Sequence, residues 1–494
     1  MSRKLPIFYS ALLLTGVNLL LRLVSTSFQV HISARLGPEG VGLLQLVMSV
    51  GGLSLTAGMA GIRTATMYLT AEELGRKHPE NIRWVLRGCC LYSLLCSSTV
   101  AALVWFAAPW MAAHWIGDPQ VVEAVRLFAL FLPAVCLSGC MTGYFTAANR
   151  IGTLAAVEIF EQLCYMAFTM GMLTLWAGQD PGKACQAVVL GSGVSACFTL
   201  LCLAVLRLRE RAVSGSVIPV RKRLLQTAIP LAVADDVKSG ITTSENLMVP
   251  KRLALYPGID SPLAAFGTVC GMVFPVLTFP MAILFGLTEL LVPELARCRA
   301  AGSEQRVRYL VQKSLRVALL YGTVCGGILF LCAGDLCLTL YDSIDAGVYL
   351  RWFSLLAIML YCDAVTDAII KGLGQQKASV RYNILTNAMD VAFLYILLPR
   401  YGITGYFVSF LVTHAVNFFL SIRRLLLITK ITIPVRIPAM TLAAAAAAVY
   451  AAGYVPSPLL RSAAFITILT CLLFLLKVLS REDIAWVKGL IYKK

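Results

Sequence analysis

The sequence predicts an all-α polytopic membrane protein with about fourteen transmembrane helices, on three observations. Of its 494 residues 59% are hydrophobic and only 14% charged, with a mean hydropathy of +0.80. That is too little charge to cover the surface of a soluble protein of this size. Apolar runs long enough to cross roughly 30 Å of hydrocarbon recur along the whole chain. Between them lie short segments, and the basic residues concentrate in alternate ones.

Taken in order, the spans are expected near 6–30, 41–70, 84–108, 122–146, 153–177, 184–207 and 225–250 in the first part of the chain. Those near 262–293, 313–332, 348–371, 381–399, 401–427, 436–453 and 459–480 complete the set. The first begins after Ser2-Arg3-Lys4 and is too long for the apolar core of a signal peptide, so it reads as a span. The basic residues fix the expected orientation. Of 42 Lys and Arg, 31 fall in the N-terminus, the segments near 71–87, 147–152, 207–223, 294–316, 371–381 and 423–436, and the C-terminus. The alternate segments hold eight, and Arg22, Arg63 and Lys238 lie inside spans. By the positive-inside rule both termini are expected in the cytoplasm. The net charge of +17 is thereby a matter of topology, and no nucleic-acid partner is expected. The sixteen cysteines contain no CxxC pair and the four histidines do not cluster with them, so neither a zinc site nor a disulfide framework is indicated.

The chain also repeats itself. Residues 61–86 align without gaps on 286–311, an offset of 225, each comprising a span end, a charged loop and the start of another span. Residues 143–152 meet 369–378 at an offset of 226. The expected organisation is an N-terminal lobe of spans 1–6 over 1–215 and a C-terminal lobe of spans 7–12 over 216–430. Spans 13 and 14 with the tail, 431–494, fall outside the repeat. Six spans per half make the halves parallel, pseudo-symmetric repeats, an arrangement suited to alternating access around a central site.

Charges inside spans nominate that site. In span 7, Asp235, Lys238, Thr242 and Glu245 are spaced by three, four and three and share one helical face. Asp235 lies twelve residues past Arg223, about 18 Å along a helix and close to mid-bilayer. Either an internal ion pair of Lys238 with Asp235 or Glu245, or a polar cavity wall, accounts for the stripe. Arg22 in span 1 and Arg63 in span 2 either snorkel to headgroups or add positive charge to that cavity. The Gly- and Ala-rich segment LTAGMAGIRTAT around Arg63 permits close packing and an irregular backbone. Guanidinium groups suit phosphate through bidentate hydrogen bonds, so the cavity favours an anionic, lipid-linked headgroup over a cation. Glu289 in span 8 is placed to neutralise one of these cations, and Glu294 is expected at the span end, solvated or paired. In span 11, Asn383, Asn387 and Asp390 are spaced by four and three, and Thr413, His414 and Asn417 follow in span 12; either an Na+ or proton site or interhelical hydrogen bonding accounts for them. Glu158 and Glu161 in span 5 and Asp363 and Asp367 in span 10 are further acidic pairs.

Several segments then resemble a known family. ARLGPEGVGLLQLVMSV (34–50), AIPLAV (228–233), LMVPKRLA (247–254) and FGTVCGMVFPVLTFPMAILFGLTELLVPELA (266–296) resemble stage V sporulation protein B-like oligosaccharide flippases. These belong to the multidrug/oligosaccharidyl-lipid/polysaccharide superfamily, with MurJ-type lipid II flippases as relatives and MATE drug exporters as more distant ones. The resemblance implies a flippase for a polyprenyl-diphosphate-linked saccharide or peptidoglycan precursor, with Arg22 at the family's span-1 arginine. It also implies a cationic cavity on spans 1, 2, 7 and 8 and a sodium site on spans 7, 11 and 12, where Asp235, Asn383, Asn387, Asp390 and Thr413 stand. Possible Na+ ligands are Asp235, Asn387 and Asp390. Catalytic residues and cofactors are not expected beyond an Na+ or H+ coupling ion, and the chain is not expected to be an enzyme. Its expected partners are the lipid-linked saccharide, membrane lipid and envelope-synthesis proteins, around a monomer. A MATE-like Na+- or H+-coupled antiporter for cations or drugs is the alternative reading.

Overall fold

The computed structural model describes residues 7–76, 78–148, 150–178, 180–209, 220–431 and 434–479. Among them there is helix and turn but no strand. A single helical run, Ile7–Met59, is broken at Gly37 (φ 69°, ψ 175°) into α1 (7–36) and the first limb of α2 (38–59). After a second break α2 continues as Ile62–Gly75. There follow α3 (Ile82–Trp110), α4 (Val122–Ala147), α5 (Ile151–Met172), α6 (Pro181–Leu208) and α7 (Arg221–Leu253). Helix α8 runs Pro262–Thr278, bends by 56°, and resumes as Met281–Ala300. Pro280 sits in the bend, where it lacks the N–H a continuing helix would use. Then come α9 (Glu304–Tyr341) and α10, whose limbs Ile344–Ser354 and Ala357–Gly372 meet at 55° through three-residue turn bonds at Leu355 and Leu356. A second long run, Gln376–Thr429, breaks at Gly402 into α11 (376–401) and α12 (403–429). Helices α13 (Arg436–Ala452) and α14 (Pro458–Leu475) complete the order.

All fourteen predicted spans are therefore helical, and the protein is a multi-pass membrane protein. Seven helices pass on length and hydropathy as drawn, and up to nine when each bent pair is one span. Two of the seven, Leu20–Gly75 and Gln376–Thr429, are 56 and 54 residues long and contain the breaks at Gly37 and Gly402, so each holds two crossings. Helices α5, α7 and α13 fall short: α5 carries Glu158 and Glu161, α7 carries its charged stripe, and α13 is only 17 residues long.

The repeat seen in the letters is written more clearly in the backbone. Helix α3 ends at Gly117 in the left-handed region, and Asp118 then accepts a hydrogen bond from the Gln120 N–H at 2.8 Å. A similar device recurs 225 residues on: Asp342 ends α9 in the left-handed region and the Ser343 hydroxyl accepts from the Ala346 N–H at 3.2 Å. The α5–α6 corner at Gly178 (φ 56°, ψ −124°) matches the α11–α12 corner at Gly402 (φ 57°, ψ −138°). Both lie near the first central position of a type II′ turn, which glycine alone adopts freely.

The compact units do not follow the repeat boundary drawn at 215/216. One comprises residues up to Gly267 together with Leu394–Gly402, and the other Thr268–Phe393 with the remainder. Helix α7, expected to open the C-terminal lobe, thus packs with α1–α6. The reason lies in its side chains. Leu224 and Ala228 bury against Ile62, Ala65 and Leu69 of α2, Val85 and Cys89 of α3, and Cys140 of α4. The α11–α12 corner joins this unit through the VPKRL end of α7, where the Arg252 guanidinium lies 3.2 Å from the Tyr395 ring centroid. Gly402 packs against the Tyr256 ring nearby. In the second unit α13 and α14 bury Ala444, Ala448, Phe465 and Leu469 with Leu331 and Cys332 of α9, and Phe465 occupies the space that a side chain at Gly327 would need.

Candidate functional site

Within the first unit, α7 presents two adjacent polar faces with different fates. Ser239, Thr243 and Asn246 turn onto α2. The Thr56 hydroxyl donates to Ser239 Oγ at 3.1 Å, the Thr243 hydroxyl to the Ser49 carbonyl at 3.0 Å, and Asn246 Nδ2 to Ser49 Oγ at 2.9 Å. Rotated by one residue, about 100° of helix, is the predicted stripe. Asp235, Lys238 and Thr242 are exposed and Glu245 is half-buried. Among the described residues Lys238 makes no ion pair, so of the two alternatives the pairing of Lys238 with Asp235 or Glu245 is not the one found. A row of hydrogen bonds on the neighbouring face fixes the stripe's direction and leaves Asp235, Lys238 and Thr242 exposed.

The irregular backbone expected near Arg63 is present. Ala60 (φ 44°) and Gly61 (φ 70°) break α2, and Arg63 is the second residue of the limb that follows. A side chain at Gly61 would meet the Ala228 carbonyl at 2.6 Å, so α7 crosses the break at closest approach. Arg63 is exposed, and it stands near enough to Glu158 and Glu161 of α5 to act on both carboxylates electrostatically. Arg22 on α1 is exposed as well. Glu289 falls on the second limb of α8, and its side chain lies outside the described residues. Glu294 is a paired span end, 2.7 Å from Arg306.

One network here was not anticipated from the sequence. Arg223, at the start of α7, binds Glu72 at 2.6 Å and Glu73 at 2.8 Å, and Glu73, only 2% exposed, also accepts from Asn81 Nδ2 at 2.9 Å. The adjacent acids Glu72 and Glu73 opposite the Arg221-Lys222-Arg223 cluster were the available signal.

The second unit gathers α10, α11 and α12 around buried polar groups. Asp390 accepts from the Ser409 hydroxyl at 2.6 Å and from Thr413 at 3.3 Å. Asn417 Nδ2 donates to Asp363 Oδ2 at 2.9 Å and more distantly to Asn383 Oδ1 at 3.4 Å. Asn387 is half-buried one turn before Asp390. The structure thus brings together Asp390 with Thr413, and Asn383 with Asn417. Ser409, one turn before Thr413 on the same face, was missed and was legible by that spacing. Asp235 belongs to the first unit, whereas Asn387 and Asp390 belong to the second. Among the described residues no three His, Cys, Asp or Glu side chains converge as a metal site.

Residues 14–171 match the family MatE. Stage V sporulation protein B of Bacillus subtilis (strain 168) is 22% identical over 412 residues, spanning 80% of this chain and 78% of that protein. Among solved structures, lipid II flippase MurJ in an inward closed conformation aligns with a TM-score of 0.68 at 10% identity, over 93% of this chain and 98% of that one. An inward-facing multidrug resistance MATE transporter aligns at 0.63 and 14% identity, over 86% of this chain and all of that one. At such identities the two solved structures speak to the fold. The protein is accordingly a membrane transporter or flippase of the multidrug/oligosaccharidyl-lipid/polysaccharide superfamily. The likeness to stage V sporulation protein B is the one that the ARLG and VPKRL segments suggested.

Proposed function

We propose that the protein is a flippase that moves a polyprenyl-diphosphate-linked saccharide or peptidoglycan precursor across the cell membrane by alternating access, coupled to Na+ or H+. The observation that carries this reading is the exposed Asp235, Lys238 and Thr242 of α7 together with exposed Arg22 and Arg63. Arginine and lysine inside spans carry a large solvation cost unless they face water or an anion. Two guanidinium groups and an ammonium supply charge-assisted hydrogen bonds for a diphosphate. Asp235 and Glu245 offer acceptors for sugar hydroxyls on the same face. Glu158 and Glu161 balance Arg63 when no diphosphate is bound. On this reading Asp390, Ser409 and Thr413 bind the coupling ion, and the positive-inside distribution places both termini in the cytoplasm.

The test is leaflet transfer of a fluorescent undecaprenyl-diphosphate saccharide in proteoliposomes. Wild type should transfer it, and Arg22→Ala and Lys238→Ala should each slow transfer at least tenfold. A MATE-like antiporter is the second reading, favoured by the MatE match and by the carboxylates of α5. It predicts no lipid transfer, with cation efflux from the same vesicles under an Na+ or H+ gradient.

A further inference from the structure

The chain that builds α11 and α12 is one-sided in charge. Between Asp367 and Asp390 the sequence has no acidic residue, and after Asp390 the next is Glu482. Lys377, Arg381, Arg423 and Arg424 stand in these acid-free stretches. Asp367 itself is taken, by Lys371 Nζ at 2.6 Å and by the Ser379 hydroxyl. Other cations at this end of the second unit have partners of their own. Arg306 pairs with Glu294 at 2.7 Å and Arg308 with Glu304 at 3.2 Å, and Arg299 donates to the Leu373 carbonyl.

Lys377, Arg381 and Arg424 differ. With Gln375, Ala378 and Tyr382 they line an open cleft of about 210 Å³ between the start of α11 and the end of α12. Among the described residues none of the three makes an ion pair. Arg424 is held by a neutral group, its Nη2 donating to Gln375 Oε1 at 2.7 Å, so its charge is positioned without being neutralised. Its Nε is buried and has no acceptor among the described residues. Lys377 and Arg381 are exposed and stand one turn apart on the same face of α11. Like charges at that spacing repel, and an anion from outside removes the repulsion.

The surface deeper along each helix distinguishes a lipid from a soluble anion. Leu385 continues the row of Lys377 and Arg381 by one more turn of α11 and is 49% exposed. On α12, Phe419 lies one turn deeper than Arg423 and is 62% exposed. Arg381 is five residues into α11 and Arg424 five residues before the end of α12, about 8 Å along each helix. The cations thus stand near the helix ends with bare apolar surface beyond them, and both ends belong to segments expected on the cytoplasmic side.

We propose that Lys377, Arg381 and Arg424 bind the phosphate of an anionic phospholipid in the cytoplasmic leaflet, with its acyl chains along Leu385 and Phe419. The guanidinium groups supply directed, charge-assisted hydrogen bonds and the ammonium adds charge. A phosphate shared by Arg381 and Arg424 ties the end of α11 to that of α12, so the lipid stabilises the folded protein. It is a resident lipid rather than cargo, since none of these residues lies on the helices that carry Arg22, Arg63 and Lys238. The site therefore stands whether or not the chain moves a lipid.

Purified full-length protein is melted in mixed micelles at fixed salt and fixed total lipid, with phosphatidylglycerol replacing phosphatidylcholine in steps. A ligand bound only by the folded state raises the melting temperature saturably. Wild type should respond to phosphatidylglycerol, and inorganic phosphate at matched ionic strength should not reproduce the response. Lys377→Gln with Arg381→Gln should raise the half-saturating fraction of phosphatidylglycerol about tenfold or abolish the response. Arg221→Gln with Lys222→Gln, which removes two exposed cations at the start of α7, should leave it within about twofold. If the α11 pair does not fold, Arg381→Gln alone should raise the half-saturating fraction about fivefold. The proposal is overturned if the two lipids act alike on wild type, or if inorganic phosphate alone gives the full response. It is equally overturned if the α11 pair, or Arg381→Gln in its place, keeps the wild-type value. An equal loss in the α7 pair also overturns it, because diffuse attraction to anionic lipid makes no distinction between the two places.

Discussion

At the scale of single residues, similar ion pairs differ in worth because their surroundings differ. Glu73 is 2% exposed and holds both Arg223 and Asn81, so Glu73→Gln removes charge where water cannot replace it. The expected loss is about 1–3 kcal/mol, read as a lower melting temperature in detergent. Glu304 pairs with Arg308 at 3.2 Å but is 81% exposed, and Glu304→Gln should change stability by roughly 0.5 kcal/mol or less. The sequence revealed candidate residues at this scale without their partners. Asp235, Lys238, Thr242 and Glu245 were legible as one face because helical spacing alone determines it. Whether Lys238 closed a pair on that face depended on rotamers and on α2, which spacing does not encode. Asp363 and Asn417 were visible singly, but their bond joins helices 54 residues apart in the chain.

At the scale of elements, the break in α2 is the sharpest local departure from regular structure beside the candidate site. Gly61 adopts φ 70° and has the Ala228 carbonyl 2.6 Å from where a Cβ would stand. Gly61→Ala should therefore destabilise by about 1–2 kcal/mol from the left-handed backbone alone, with the contact adding to it. Gly52, helical and with open space around it, should respond in the opposite sense, Gly52→Ala gaining about 0.5–1 kcal/mol. Melting curves of the two variants against wild type check both signs. The Gly- and Ala-rich letters signalled irregularity here, and hydropathy located all fourteen helices. What hydropathy did not convey is which helices pack together. The assignment of α7 to the first unit follows from the burial of Leu224 and Ala228 and from hydrogen bonds at Ser239, Thr243 and Asn246, neither visible to a window average.

At the scale of the whole molecule, the even number of spans and the uneven spread of Lys and Arg make a prediction about sidedness. A phosphatase reporter that works only outside the cytoplasm should be active when fused after Asp118 and silent when fused after Lys494. Activity at both points, or at Lys494 alone, would overturn the orientation with both termini in the cytoplasm. The matched corners at Gly178 and Gly402 bear on how such a chain evolves. Little of the sequence is shared between the two halves, yet the two torsion pairs agree to within about fifteen degrees. Side chains around each corner were free to diverge, whereas any residue with a Cβ would have had to abandon the turn. The record of duplication is thus kept where substitution is least tolerated, and an ancient gene fusion is read more surely from dihedral angles than from letters.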